Sequence, residues 1–523
     1  MKKYISIMII ILAVAGSSCK KTYLSELAIN PNTPAVTTAA LQLTGAMTRT
    51  ATITNGTSMT QYLVWDGYMA YSTSYQPSAS LLLYSITTDT FDNFSSLFLN
   101  ISNYNAILTA NGTNAYYNAI ANIMIAYDFS LLVDQYNNVP YFGALQGATN
   151  LTPAYDSGSA IYDDLLKQLD AAIASIQGAP ATTTSPGKND LIYGGTMTKW
   201  ILFANTLKLR LAVHQTSNTA LFTAKKAALT ASLAKTSALG YITTASEGAV
   251  NPGYTNTDVL QAPLDVAYGY KANGSKQSNT PVYQANTFAI NFFANTSGIS
   301  TGLAAYWISS PTGTASAPQD PRLFQIYAPS PSAAAGGAVT GTSLGQTQPP
   351  QVNGVQVTPS LLSSFVLSPT KSAPIITAAE AWLLQAEAIN AGILTPNAGT
   401  APDAPTAYAN GVSASFTEFG IASSAAAYLV THPYPTGASA AVQEEAIITQ
   451  KWAALDPYIS LEAYTELRRT GYPKVPLSIL PGVTATTYVQ RLPYPTTEYN
   501  TNGANALAQT GGTDIYSKIF WAQ

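Results

Sequence analysis

The chain is 523 residues long, enough for one large domain or two or three of average size. Charged residues make up only 9 % of it while tyrosines number 33, so the surface must be built from hydroxyls and amides, which suit sugars and other neutral polar ligands better than phosphates. With a formal charge of -3 and no basic run beyond Lys20-Lys21, counterion release has almost nothing to act on, and nucleic acid is excluded as a partner.

Lys2-Lys3, the apolar run Ile5 to Val14 and the small residues Ala15-Gly16-Ser17-Ser18 before Cys19 form the three regions of an export signal. The apolar run is too short to span a bilayer, and the pattern is that of a lipoprotein signal peptide cleaved before Cys19. Residues 1–18 are therefore expected to be removed and Cys19 to carry lipid, which leaves the mature chain without a free thiol or a disulfide. Residues 19–34, with the turn-forming Asn30-Pro31-Asn32-Thr33-Pro34, read as a tether to the membrane.

Ala35 to Thr50 reads as the first helix. From Gln61 to Tyr75 aromatics recur at Tyr62, Trp65, Tyr68, Tyr71 and Tyr75, the spacing of a helical stripe. Further helices are expected over Phe91 to Leu108 and Tyr116 to Val133, followed by a turn at Asn137-Asn138-Val139-Pro140-Tyr141. Asp156 or Ser157 is placed to cap the helix Ile161 to Ile173, and Lys199 to Ala212 forms the next. Residues 240–375 change character, with Pro, Gly, Ser and Asn rising and periodicity fading, so a loop-rich insert is expected there. Periodicity returns at Ile375 to Asn390, where Glu380 and Glu387 share a face, then at Ala404 to Phe416 and at Ser439 to Gly471. The reading is a mostly α single domain over 35–523: helical parts at 35–239 and 376–523 around the irregular insert 240–375.

Near the C-terminus, Ile448, Trp452 and Leu455 fall on one face of a helix that Asp456-Pro457 ends. Leu461, Tyr464 and Leu467 repeat the stripe in a second helix, with Arg468 and Arg469 in its last turn and Gly471 as its cap. The segments Gln450-Lys451-Trp452, Leu461-Glu462-Ala463 and Arg468-Arg469-Thr470-Gly471-Tyr472-Pro473 resemble the closing motif of the SusD/RagB-like outer-membrane lipoproteins of Bacteroidetes-type bacteria. Asn30-Pro31-Asn32, Asp190 to Gly195, Asp320-Pro321-Arg322-Leu323 and Arg491-Leu492-Pro493-Tyr494-Pro495 resemble family segments in the same order. Two positions depart from that pattern: Lys20-Lys21-Thr22 stand where the family often carries an acid after its cysteine, and Asn137-Asn138 where it prefers a glycine. The resemblance implies tetratricopeptide-like helix pairs forming an α-solenoid scaffold, although no clean repeat is visible. It also implies lipid-anchored display at the outer membrane facing the exterior, and a SusC-like TonB-dependent barrel over which the protein sits as a lid.

Few residues are available for chemistry. His214 and His432 are the only histidines, which excludes a His-based zinc site, and no cofactor motif is present. Gly341-Thr-Ser343-Leu-Gly345 matches the nucleophile-elbow pattern without a preceding strand, and a triad would have to recruit His432. The acid pairs Asp163-Asp164 and Glu444-Glu445 point about 100° apart on a helix, so neither faces across a sugar as glycosidase chemistry requires. Binding fits better than catalysis. Sugars need flat apolar faces beside fixed amides and hydroxyls, which Tyr and Trp with Asn supply. The candidate platforms are Trp65, Tyr68, Tyr71 and Tyr75 on the stripe and Tyr268, Tyr270, Tyr306 and Trp307 in the insert; packing in a core is the competing role for each. The expected ligand is an oligosaccharide, with a peptide as the alternative.

Overall fold

The computed structural model describes residues 38–75, 79–111, 114–245, 247–294, 298–307, 319–397 and 399–522. The export signal, Cys19 and the tether 19–34 lie outside them. The fold begins with α1 (Ala39–Asn55), whose N-terminus is capped by Thr38 Oγ1 accepting from the Leu41 amide at 3.3 Å. Leu43, Met47 and Ala51 recur every fourth residue and are buried. The body then runs through α2 (Thr60–Trp65), α3 (Asn93–Asn111) and α4 (Ala115–Tyr136). It continues through α5 (Gly158–Gln177), α6 (Met197–His214) and α7 (Thr219–Ala234), with successive long helices packed side by side.

α4 shows why the body is several layers deep. Its last three turns are buried on every side, the polar Asp128, Asp134 and Gln135 included, so it must have neighbours on every side, and α1, α3, α5 and α6 provide them. It ends at Asn137, whose φ of 68° is a conformation asparagine tolerates better than other side-chain-bearing residues. The short strands β2 (Val139–Pro140) and β3 (Tyr155–Asp156) pair antiparallel on the way to the next helix, α5, which is capped by Ser157 Oγ accepting from the Ala160 amide at 3.3 Å. Asp190 folds the turn before α6: its Oδ1 accepts from the Ile192 amide at 3.0 Å, and its Oδ2 from the Gly195 amide and the Trp200 indole, each at 2.8 Å. α7 buries only Leu229 and Leu233, and its other alanines and leucines are spread round the helix, so no apolar stripe stands out in the sequence.

The aromatic stripe is not one helix. α2 stops at Trp65, Gly67 turns the chain at φ 83°, and β1 (Met69–Tyr71) follows. Only glycine fits that turn, since a Cβ at position 67 would lie 2.8 Å from the side chains of Phe288 and Val475. The insert opens with β4 (Ala249–Val250) and carries α8 (Pro263–Tyr268), β5 (Tyr283–Ala285), α9 (Thr287–Phe293) and α10 (Thr301–Trp307) before closing on β6 (Ala373–Pro374). β4 pairs antiparallel with β6, Ala249 opposite Pro374 and Val250 opposite Ala373, so the insert leaves and rejoins the body at one clasp. β5 pairs antiparallel with β1 in the register Met69–Ala285, Ala70–Gln284 and Tyr71–Tyr283, which fixes the insert to the N-terminal part.

The C-terminal helices are α11 (Ala378–Asn390), α12 (Ala404–Glu418), α13 (Ala425–Thr431), α14 (Ala440–Leu455) and α15 (Ser460–Thr470). Thr377 caps α11, Asp403 Oδ1 caps α12 by accepting from the Thr406 amide at 2.7 Å, and Gly471 ends α15 at φ 74°. One large apolar core spans most of the molecule, with Trp200, Trp452 and Trp521 fully buried in it. A second, smaller core forms where α10, α11, α12, α13 and α14 meet, around Leu303, Trp307, Leu383, Tyr408, Phe416 and Tyr428.

Candidate functional site

The β1–β5 pairing places Tyr71 directly opposite Tyr283, with ring centroids 5.1 Å apart. α8 brings Tyr268 onto Tyr283 edge-to-face at 5.5 Å, and the Tyr268 hydroxyl is hydrogen-bonded to that of Thr60 on α2. Beyond β1 the chain turns on a 3.0 Å bond from the Tyr75 amide to the Ser72 carbonyl, which stands Tyr75 out from the surface, 52 % exposed. Tyr75 lies close enough to influence the titration of both Tyr71 and Tyr283. Tyr270 starts the small loop that returns at Lys276 and is 42 % exposed; the Tyr270 carbonyl accepts from Gln261 Nε2 at 2.8 Å.

The result is a tyrosine platform. Tyr71, Tyr268 and half-buried Tyr283 form its base, Tyr75 stands beside it, and Tyr270 lies two residues beyond Tyr268 on the adjoining loop. Burial, reinforced by the neighbouring phenols, pushes the Tyr71 hydroxyl well above the ordinary range, and burial does the same for Tyr268 and Tyr283. Exposed Tyr75 and Tyr270 and half-buried Tyr283 therefore offer ring faces and hydroxyls, the combination that a sugar's C–H face and hydroxyls require, while Tyr71 and Tyr268, as buried as Trp65, support them from beneath.

Of the eight aromatics singled out in the sequence, Tyr71, Tyr75, Tyr268 and Tyr270 fall on this platform and its flanking loops. Tyr306, 36 % exposed on α10, does not belong to it. Trp65, Tyr68 and Trp307 are buried, with no free ring face to offer. Trp65 packs among Tyr62, Tyr84, Phe91 and Tyr464, and Tyr68 lies 4.7 Å from Trp452. Trp307 closes the second core, its indole donating to the Pro433 carbonyl at 3.1 Å. Tyr283 was missed in the sequence reading because nothing in Pro281-Val282-Tyr283-Gln284 marks it; only its strand register does.

The motif residues near the C-terminus hold the fold together. Arg468 Nη1 donates to the carbonyls of Asp134 at 2.8 Å and Gln490 at 2.7 Å, and Arg469 Nη2 binds the carboxylates of Glu387 and Glu466. Glu380 takes both Arg210 Nε at 2.6 Å and Nη2 at 2.7 Å. Arg322 is fully buried on Asp320 at 2.7 Å, with its guanidinium over the rings of Phe416 and Tyr428. Asp163 pairs with Lys225 at 2.7 Å, and Glu445 accepts from the Ser300 amide at 2.6 Å, so these acids have structural partners. His432 stacks on Tyr428 at 4.0 Å in the second core, where burial lowers it to about 4. Ser343 instead lines a cavity of about 360 Å³ with Asn286, Asn291 and Lys474.

Asp134, His214 and Glu462 bring three possible ligand atoms within 4.8 Å of one another. The space is already used: His214 Nε2 lies 2.9 Å from Glu462 and its Nδ1 3.1 Å from the Tyr162 hydroxyl, and the Trp521 indole donates to Asp134 at 2.9 Å. Burial opposes the charge on His214, but Glu462 and Asp134 outweigh it and raise the imidazole to about 9, so this is an ion pair built on a protonated histidine.

With this fold in place, comparison with known proteins becomes specific. The SusD-like family described as "Starch-binding associating with outer membrane" matches residues 31–282 and 314–495, and the chain belongs to that family. Its mostly α architecture is the tetratricopeptide-like helical fold of SusD-like structures. A SusD-like protein from Bacteroides thetaiotaomicron superposes with a TM-score of 0.69 at 22 % identity, over 92 % of this chain and 98 % of that one. A SusD homolog from Bacteroides uniformis gives 0.66 at 23 %, over 92 % and 99 % of the two chains. A chitin-binding SusD homolog from Flavobacterium johnsoniae gives 0.67 at 22 %, over 92 % and 98 %. No curated protein matches the sequence.

Proposed function

We propose that this protein is a lipid-anchored, non-catalytic receptor at the outer face of the outer membrane that binds an oligosaccharide on the tyrosine platform and passes it to a SusC-like TonB-dependent barrel. The observation that carries this reading is the grouping of Tyr71, Tyr75 and Tyr268 with Tyr283 around one strand pair, with exposed Tyr270 on the adjoining loop. The family's starch-binding description and the chitin-binding relative support a glycan over a peptide. The export signal ending at Cys19 supports lipid attachment.

The test is calorimetric titration of the purified protein with starch- and chitin-derived oligosaccharides and with peptides. One glycan series is expected to bind without being cleaved. The double substitution Tyr75→Ala and Tyr270→Ala is expected to weaken it about tenfold or more, as removal of two aromatic contacts should. Tyr306→Ala serves as the control that leaves affinity in place. Unchanged affinity in the double variant, or cleavage of the glycan, overturns the reading. Cys19→Ala is expected to release the protein from the membrane fraction.

A further inference from the structure

Where the insert rejoins the body, β6 and the N-terminus of α11 wall a cavity of about 190 Å³ that is separate from the tyrosine platform. At ~30 Å³ per water it holds roughly six waters, the space of one sugar ring or one amino acid. Lys371, Ser372, Thr377, Glu418, Phe419 and Tyr458 line it.

Three of these side chains have polar groups not fully taken up by the protein, and one of the three is buried. Tyr458 is 7 % exposed, and its hydroxyl is buried without a hydrogen-bond partner. The Lys371 ammonium lies 3.9 Å from the centroid of the Phe365 ring and 5.2 Å from that of Tyr458. It has one hydrogen bond, to the Phe365 carbonyl at 3.4 Å, and among the described residues no carboxylate lies within ion-pair distance of it. Glu418 uses Oε1 to accept from the Ala378 and Ala379 amides, at 3.1 and 3.3 Å, which leaves Oε2 without an assigned protein donor.

The other charges around the cavity are already paired. Glu247 is held by Lys199 at 2.9 Å, and Glu380, behind Glu418, by Arg210 at 2.6 Å. Burial pushes the Glu418 carboxyl up to about 8, so near neutral pH it carries a proton, and it pushes Lys371 down to about 8, still mostly charged. The cavity thus presents an ammonium and a phenol hydroxyl, both able to donate.

We infer that this cavity binds a small carboxylate, with the Lys371 ammonium as counter-ion and the Tyr458 hydroxyl as hydrogen-bond donor. The carboxylate could belong to an acidic sugar unit or to a free organic acid of the same size. A second recess shares Lys371, Ser372 and Tyr458 and reaches Pro263 and Leu264 at the start of α8, the helix that ends in Tyr268. The site therefore touches the platform's supporting helix without using any platform residue.

The experiment is calorimetric titration of the purified protein with glucuronate, glucose and succinate at pH 6.5. Glucuronate is expected to bind and glucose not to. Binding of succinate as tightly as glucuronate assigns the site to free acids, and its failure assigns it to acidic sugars; either result supports a carboxylate site. Tyr458→Phe, which deletes only the unpartnered oxygen and keeps the ring, is expected to weaken binding about tenfold, and Lys371→Met by more. Tyr75→Ala is expected to leave it unchanged, which separates this site from failure of the platform reading. Equal binding of glucose and glucuronate, no binding of either acid, or full affinity in Tyr458→Phe overturns the inference.

Discussion

Asp66 and Asp456 are both fully buried, and neither Asp456 oxygen nor Asp66 Oδ2 has a hydrogen-bond donor from the rest of the fold. Among the described residues no cation forms an ion pair with either. Burial pushes Asp66 up to about 7, opposed by its hydrogen bond with Asp456, and pushes Asp456 well above the usual carboxylate range, where the neighbouring Asp66 raises it further. Because the folded-state values exceed the unfolded ones near 4, the unfolded chain releases protons that the folded chain keeps, so this pair lowers stability as pH rises from about 4 through 7. Asp66→Asn retains the oxygen that accepts from the Tyr68 amide at 3.1 Å and removes one of the two acids. The variant's melting temperature, measured from pH 5 to 8, is expected to rise relative to the parent as pH increases; a constant difference would refute the shared-proton account. Sequence reading could not have found this pair, since Asp66 and Asp456 stand 390 positions apart and neither lies in a chemical motif.

At the scale of elements, the C-terminal hairpin was legible because α14 and α15 carry strong local signals: an apolar face, a proline stop and a glycine cap. The stripe from Gln61 to Tyr75 was misread for a related reason. The aromatics from Tyr62 to Tyr71 enter the interior successively from a helix, a turn and a strand, and spacing alone does not separate these when every position from Gln61 to Tyr71 is buried. Gly67 was the available signal against a continuous helix. What spacing could not supply is the partner of α15. Glu462 meets His214 and Arg210 on α6, at 2.9 and 3.6 Å, which ties the last long helix to the N-terminal part. Burial would raise the Glu462 carboxyl, but His214 and Arg210 hold it well below its usual range. Glu462→Gln leaves two buried cations short of a counter-charge and is expected to cost about 3–5 kcal/mol in denaturant unfolding. The sign for His214 is opposite to that of the aspartate pair. Its contribution is complete below the unfolded value near 6.5 and lost as pH rises toward about 9, so the variant is also expected to lose part of that alkaline slope.

For the whole molecule, composition identified residues 240–375 as an insert, but it could not show that the functional surface straddles the insert and the body. Tyr71 and Tyr75 come from the body, while Tyr268, Tyr270 and Tyr283 come from the insert, so the platform exists only while the two stay in register. The clasp at β4–β6 keeps the ends of the insert together, and Gly248 is its pivot. Its carbonyl accepts from the amides of Ile375 at 2.9 Å and Ile376 at 3.3 Å. Its φ is 72°, and a Cβ there would lie 2.5 Å from the Ile376 carbonyl oxygen. Gly248→Val therefore adds backbone strain and a clash with main chain that cannot swing aside, a cost of about 2 kcal/mol or more at the clasp. The helical body keeps its own core, so limited proteolysis is expected to cut within 251–372 before the body is attacked, and glycan affinity is expected to fall although every platform residue is unchanged. If the variant instead resisted proteolysis like the parent and bound with full affinity, the β1–β5 pairing alone would hold the insert in place, and the clasp would have no share in shaping the site.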